Sequence, residues 1–393
     1  MNIVYVTLVD ISKPTGPGTN ELESILALNQ SAQENVKLFF LLASKTNRSE
    51  ISSSNFYSFN VNEKVYKGMS LLIWQIQYLR SFISIYHNLG KNRKDVLVIL
   101  RPDSTGRLSL IPIWLYFRGV KFGFRHFQGQ IKKSKNVKNW YRNTVLKWGL
   151  NGAKCIDCSQ KEGADQLILL GYQNVHVVGN AVNLKRFHLM DRPSTKAKYG
   201  FKKDSFIIGY IGGVPLNRGA DLLIKSAPQI INKIPDVHFV IVGDSKYRDS
   251  THLYKMQKLA KKMNVERYFT FTGTIPFDEV LPYFNCLNIG VALVSSQEVK
   301  EKGNSSQKIY QYLATGSSII IPKNTHEDLV EEGVAVQIIP ESIREFIEAV
   351  VILYHENIDR EIVREVALKY SVEDRAKKQL SIWKNALKNN NGL

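Results

Sequence analysis

Short apolar runs rich in Val, Ile and Phe recur along this chain with helix-period segments between them, and the alternation happens twice. The first series of runs covers 2–9, 36–42, 95–101, 120–125, 153–157 and 174–178, with helical segments near 19–33, 68–90, 105–118, 136–150 and 159–170. The second has runs near 205–211, 236–242, 268–273, 287–293, 317–322 and 334–338, with helical segments near 219–233, 250–264, 277–285, 305–315 and 341–356. Strands separated by helices are joined by crossovers rather than hairpins, so they pair in parallel and carry helices on both faces. The pattern predicts an α/β chain of two Rossmann-like, doubly wound domains facing each other across a cleft. Its 393 residues also exceed what one hydrophobic core ordinarily serves. The break is expected near 180–200, where "DRPSTKAKYGFKKDS" is polar and carries Pro and Gly. The domains are then 1–185 and 186–371.

Charge narrows the partner. The formal net charge is +18, which suits nucleic acid, an acidic membrane face or a phosphorylated substrate. No acidic residue stands between Asp103 and Asp157, a window that holds Arg107, Arg118, Lys121, Arg125, Lys132, Lys133, Lys135, Lys138, Arg142, Lys147 and Lys154. Within it, "IKKSKNVKNWYRNTVLKWGL" puts Val137, Trp140, Tyr141, Thr144 and Trp148 on one helical face flanked by lysines. Aromatic and basic residues together fit an anionic bilayer surface. No RRM, KH or helix-turn-helix signature supports nucleic acid. No apolar run is long enough to span a membrane, and "MNIVYVTLVD" reads as a buried strand, not a signal peptide. Three cysteines make no disulfide framework, which points to a reducing cytosol, and Cys155 and Cys158 read as core. The expected location is cytoplasmic, peripheral at the inner membrane face.

Open parallel sheets take ligands at the carboxyl ends of their strands. In the first domain the loop after strand one carries Gly16 and Gly18 ahead of a helix start, with Asn20 and Glu23 as a capping pair. In the second, "FIIGYIGGVPLNRGADLLIKSA" runs a strand into Gly212 and Gly213, followed by Arg218 and a helix. Glycines there admit a phosphate and Arg218 grips it. Gly243 and Asp244 end the next strand, and Gly273 and Thr274 the one after. Finally "NSSQKIYQYLATGSSIIIP" offers Ser305, Ser306 and Gln307 at a helix start, Lys308 as a charge and Gln311 one turn on. No GxxxxGK[ST] is present, which excludes a P-loop NTPase. No Asp-x-Asp pair or His/Cys cluster marks a metal, and no cofactor is expected.

The order "GYIGG…RG…LLIKSA", "HFVIVGD", "FTGTIPFDEVLPYF", "NIGVAL", "SSQKIYQYLATGSSII" resembles the donor-binding half of GT-B fold glycosyltransferases of the large retaining family 4. "CSQKEGADQLILLGYQNVHVVGNAVNLKRF" is similar to that family's interdomain stretch. The resemblance implies a nucleotide-sugar donor, with UDP as the expected nucleotide, and a saccharide or lipid-linked saccharide acceptor. It implies that Arg218 neutralises the donor diphosphate and that His126 approaches the anomeric centre. Two departures stand out. Gly213 replaces one of two family cations, a role that passes to Lys308. The paired glutamates of the family's Glu-x7-Glu motif fall on Gly303 and Gln311, leaving Gln311 for the ribose and Glu301, or Glu298, for the first glutamate. A non-catalytic nucleotide-sugar or polyanion binder and a GT-B epimerase remain alternatives. The last stretch, 372–393, has Leu380, Ile382, Trp383 and Leu387 as an apolar stripe; the resemblance implies that it packs back on the N-terminal domain.

Overall fold

The computed structural model describes residues 1–7, 9–11, 16–32, 36–42, 56–58, 70–88, 96–101, 110–127, 147–213, 219–244, 251–304 and 306–388. They form two compact units, Met1–Gly179 with Glu373–Leu393, and Asn180–Val372. Each is a parallel α/β sheet. Among the described residues no helix is long and apolar enough to cross a membrane.

The first unit has strands β1 (Asn2–Thr7), β2 (Lys37–Leu42), β3 (Phe56–Ser58), β4 (Val96–Arg101), β5 (Lys121–Phe127), β6 (Ile156–Cys158) and β7 (Val175–Val177). They lie in the order β3-β2-β1-β4-β5-β6-β7. β1 and β4 are buried on both faces, which is why they read as unbroken apolar runs rather than alternating ones. β3 escapes sequence reading because three residues make no run. Cys155 and Cys158 are free thiols in this core. Burial pushes the Cys155 thiol up and the Cys158 thiol up to about 12, which disfavours the thiolate that disulfide exchange needs.

The helix after β1 spans Gly16–Ser31, and so begins ahead of the expected start near 19. Gly16 and Gly18 lie in its first turn rather than in a loop, and Asn20 and Glu23 are interior residues rather than caps. The physical reason is Pro17, whose missing N–H and fixed φ suit a first helical turn. His126, expected just beyond a strand, is inside β5.

The second unit has β8 (Phe206–Ile211), β9 (Val237–Val242), β10 (Phe269–Gly273), β11 (Ile289–Val291), β12 (Ser318–Pro322) and β13 (Ala335–Ile338). Their order is β10-β9-β8-β11-β12-β13, so the winding reverses between β8 and β11. The polar stretch expected to be a linker is instead a helix of this unit, Arg192–Lys198. The Asp191 side chain accepts from Ser194 N at 2.9 Å as its cap. Lys196 is buried, donating to Ser205 O at 2.7 Å and to Asn288 Oδ1 at 3.0 Å. Sequence periodicity also missed the short helices Ser296–Lys302, Glu327–Glu331 and Arg360–Leu368. The chain enters and leaves this unit side by side, with Val182 N bonded to Tyr370 O at 2.9 Å and Val372 N to Val182 O at 3.1 Å.

The C-terminal helix, Val372–Lys388, buries Trp383 completely within the first unit. Its indole stacks on Tyr5 at 6.2 Å and Nε1 donates to Asp157 Oδ2 at 2.9 Å. The layer beneath is ionic. Glu21, fully buried, accepts from the Tyr5 hydroxyl at 2.6 Å and from Arg125 at 3.0 Å, and also pairs with Arg101. Arg375 of the C-terminal helix donates to Ser24. Burial, against hydrogen bonds from Trp383 and Gln379 and the charge of Arg125, lifts Asp157 to about 7.

Trp383→Ala removes a fully buried ring and its hydrogen bond; we expect a loss of about 3–5 kcal/mol in chemical denaturation, and a cost below 1 kcal/mol would contradict this packing. Asp157 makes a pH prediction. From the ordinary carboxylate value of about 4 up to about 7, the folded protein keeps a proton that the unfolded chain releases. Its stabilising term is therefore full at low pH and is lost as pH rises through that window. Asp157→Asn deletes the titration, so its melting temperature should gain on the parent's between pH 5 and 8; a constant gap would refute the assignment.

Candidate functional site

The carboxyl ends of β8, β9 and β10 are stitched together by their glycines. Gly212 N donates to Val242 O at 2.9 Å, and Gly243 N to Gly273 O at 2.9 Å. Gly243 has φ +113°, and a Cβ there would stand 2.2 Å from Gly212 O. No side chain fits that contact, so the chain runs close enough for backbone groups of neighbouring loops to meet. Gly213 is exposed, and its carbonyl accepts from the Tyr210 hydroxyl at 2.6 Å.

The winding reversal opens the sheet beside these loops. β8 and β11 pair only at Ile208–Ile289 and Gly209–Gly290. Beyond that the strands part, and Ile211 N–H, which has lost its strand partner, donates to the Tyr312 hydroxyl at 2.8 Å. Tyr312 lies flat against Gly290, where a Cβ would meet its ring at 2.3 Å. Burial drives its hydroxyl pKa far above the ordinary tyrosine value, so it stays a neutral structural bridge.

That bridge fixes the helix Lys308–Ala314. One turn before Tyr312, Lys308 places its ammonium 3.7 Å from the centroid of the Tyr210 ring, a cation–π contact. A Cβ at Gly212 would be 3.2 Å from Lys308 Nζ, so the missing side chain at Gly212 leaves room for the charge. Asn304, fully buried, donates to Ala292 O at 2.9 Å and accepts from Ser306 N at 3.3 Å, holding the turn into this helix. Gln307 donates to Ala181 O at 3.4 Å. The other end of the helix is held by cations: Arg192 donates to Gly316 O at 2.7 Å and Arg360 to Thr315 O at 3.0 Å. Arg364 reaches Ala314 O. They satisfy terminal carbonyls and match the negative helix end.

The structure thus gathers Gly212, Gly213, Gly243, Asp244, Gly273 and Lys308 at one edge of the second sheet. Ser306 and Gln307 lead into the helix, and Gln311 lies within it, buried, one turn after Gln307. Thr274, one residue past β10, is exposed. Glu301 is in the helix Ser296–Lys302 and Glu298 in its first turn, where its N–H is capped by Ser295. Arg218 and Ser305 lie outside the described residues, as does the basic stretch 128–146. Gly16, Gly18 and His126 belong to the first unit. Sequence reasoning gave no site role to Tyr210, Tyr312 or Asn304. Among the described residues no group of three or more His, Cys, Asp or Glu is placed to hold a metal ion.

Residues 205–356 match the family described as "Glycosyl transferases group 1". The matched residues lie within the second unit. The GPI3 subunit of phosphatidylinositol N-acetylglucosaminyltransferase from Saccharomyces cerevisiae is 25% identical over 149 residues, 37% of this chain and 31% of that protein. The putative glycosyltransferase EpsD of Bacillus subtilis is 31% identical over 148 residues, 36% of this chain and 38% of EpsD. The chain therefore spans about a third of these relatives' length. The crystal structure of Anabaena HepE in complex with UDP superposes with a TM-score of 0.72 at 13% identity, covering 98% of this chain and 100% of HepE. The likeness shows the fold, two Rossmann-like parallel-sheet domains as in GT-B structures.

Gly243→Ala should lower stability well beyond the effect of Gly171→Ala, which also has positive φ but open space around it. The control carries only the backbone term of about 1–2 kcal/mol. Equal melting temperatures for the two variants would show that the loops are not in contact.

Proposed function

We propose that the protein is a retaining glycosyltransferase that moves a sugar from a nucleotide diphosphate, with UDP as the nucleotide, to a saccharide or lipid-linked saccharide acceptor in glycan biosynthesis. The observation that carries this reading is the coincidence of the family match over 205–356 with the glycine-stitched strand ends and the Lys308 ammonium over them. Such an edge suits an anionic diphosphate, because glycines without side chains leave room for it beside the backbone and one fixed cation faces it. HepE, of the same fold, binds UDP and UDP-glucose. The yeast relative's name specifies a phosphatidylinositol acceptor, which supports a lipid-linked acceptor here and work at an anionic membrane face.

In this reading the bond from the anomeric carbon to the diphosphate oxygen breaks, one to an acceptor hydroxyl oxygen forms with configuration kept, and the hydroxyl proton leaves with the released diphosphate. Lys308 and Arg218 meet the charge left on the diphosphate, so no metal is needed. Gln307 at the start of the helix faces the diphosphate, Gln311 serves the ribose, and the backbone at Gly273 and Thr274 serves the base edge. His126 and Glu301 are the candidate groups at the reacting carbon, and the first unit takes the acceptor.

Calorimetric titration of the full chain with UDP tests the donor site. Arg218→Ala and Lys308→Ala should each weaken binding by about 1.5–3 kcal/mol, the range for a charge-assisted contact, with the fold intact by circular dichroism. Equal affinity in parent and variants overturns the site. Transfer from UDP-sugars should survive EDTA, and a strict Mn²⁺ or Mg²⁺ requirement would overturn the metal-free chemistry. Donor binding without transfer or hydrolysis would instead favour the non-catalytic alternative.

A further inference from the structure

The first unit exposes an aromatic cluster that its own core does not use. Tyr116, Phe117 and Trp148 are 43%, 70% and 52% exposed. Their ring centroids lie 5.8–6.2 Å apart in all three pairs. Single exposed apolar residues are ordinary, but three large rings in mutual contact are not. The cluster is also fixed in place: Tyr116 rests on Gly152, where a Cβ would come within 2.9 Å of the ring.

Two exposed cations border it, Arg118 and Lys147, and neither has a salt bridge among the described residues. Arg118 lies over the Trp114 ring at 5.6 Å. The sequence from 104 to 156 contains no acid.

A second apolar ridge stands on the same edge of the sheet. Ile168, Leu169 and Leu170 are 54%, 86% and 57% exposed, at the end of the helix Lys161–Leu169. The helix Leu110–Phe117 leads into β5, residues 147–152 into β6, and Lys161–Leu169 into β7. Successive right-handed crossovers in one direction lie on one face, and their last turns all reach the amino ends of the strands. Rings, aliphatics and cations therefore share one border of the unit, opposite the strand ends where parallel sheets take their ligands.

We propose that this border is the surface by which the protein seats on an anionic lipid bilayer. Trp and Tyr suit the headgroup level, Phe117 and Leu169 enter the acyl boundary, and Arg118 and Lys147 meet lipid phosphates. Arg118 and Lys147, the charges beside the rings, are both positive and match a negative sheet of headgroups, while Asp165 is the exposed acid of the helix that ends in the ridge. A nucleic acid would use the rings and cations but leaves the Ile168–Leu170 ridge without a partner. The proposal stands whether or not sugar is transferred, and whether or not the acceptor is lipid-linked.

Co-sedimentation of the full chain with phosphatidylcholine vesicles, with and without phosphatidylglycerol, reads it directly. The parent should bind the anionic vesicles alone, more weakly as salt rises. The double variant Phe117→Ser, Trp148→Ser should lose about tenfold or more in partition, and Arg118→Glu roughly fivefold or more. Because these side chains are exposed, melting temperatures should hold, and UDP titration on the same samples keeps the donor site as a separate readout. Equal partition of parent and variants overturns the proposal. So does absence of vesicle binding, or variant-sensitive binding to single-stranded oligonucleotide in place of vesicles.

Discussion

Parallel strands that cannot be joined by hairpins set everything else in this molecule. Each connection must cross a face of the sheet, so every loop that follows a strand emerges at one edge and every loop that precedes one emerges at the other. In the second unit the winding also reverses between β8 and β11. Those strands pair over two residues each and then diverge, leaving a backbone donor without a ladder partner. Tyr312 answers that donor, and in doing so it sets the helix whose first residue is Lys308. The cation at the candidate site is thus placed by a hydrogen-bonding deficit that the topology itself creates.

The two units fill their interiors in different ways. The second is apolar, and its buried cations are spent on carbonyl oxygens at a helix end and on the turn around Asn285 and Asn288. The first has a buried ionic layer under the C-terminal helix. Three guanidiniums and Glu21 lie within it; burial lowers Arg375 to about 9 and Arg101 to about 10, and both still carry charge at neutral pH. Such networks contribute little net stability, because desolvation offsets most of the attraction, yet removing one partner strands a buried charge at about 3–5 kcal/mol. What the layer supplies is register. Trp383 meets Asp157 and Arg375 meets Ser24 together, and an apolar seam alone would tolerate slippage that this pattern does not.

The architecture was legible because its signal is collective. β1, β4, β8, β9 and β12 are continuous apolar runs whose period needs no neighbour to be read. Elements whose stability is tertiary were not legible. β3 is three residues long, and Arg192–Lys198 reads as a polar linker until Lys196 is seen buried against Ser205 and Asn288. The glycines of the candidate site were visible as strand-end punctuation, but not the contact between Gly212 and Gly243, which joins residues remote in sequence. Tyr210 gave no signal, since a tyrosine ending a buried strand looks like any core ring until Lys308 is found above it. The exposed cluster of Tyr116, Phe117 and Trp148 was half legible: Trp148 stood out among lysines, while Tyr116 and Phe117 blended into an apolar helix.

The two positions that depart from the paired glutamates are explained by their surroundings. Gly303 ends the helix Ser296–Lys302 with φ 67° and ψ −170°, a backbone region that is essentially reserved for glycine. Its N–H closes on Val299 O at 2.8 Å, and the next residue, Asn304, is fully buried. A glutamate at 303 would need a different loop, so the first carboxylate is excluded by conformation and not merely absent. Gln311 is 9% exposed, and an ionised carboxylate there would carry a desolvation cost that a neutral amide avoids. The glycine at 213 removes one cation from the same edge. Losing one positive and two negative groups together leaves the edge more positive than the resembled pattern would, and in the proposed reading Lys308, held over Tyr210, is the fixed charge that meets the diphosphate.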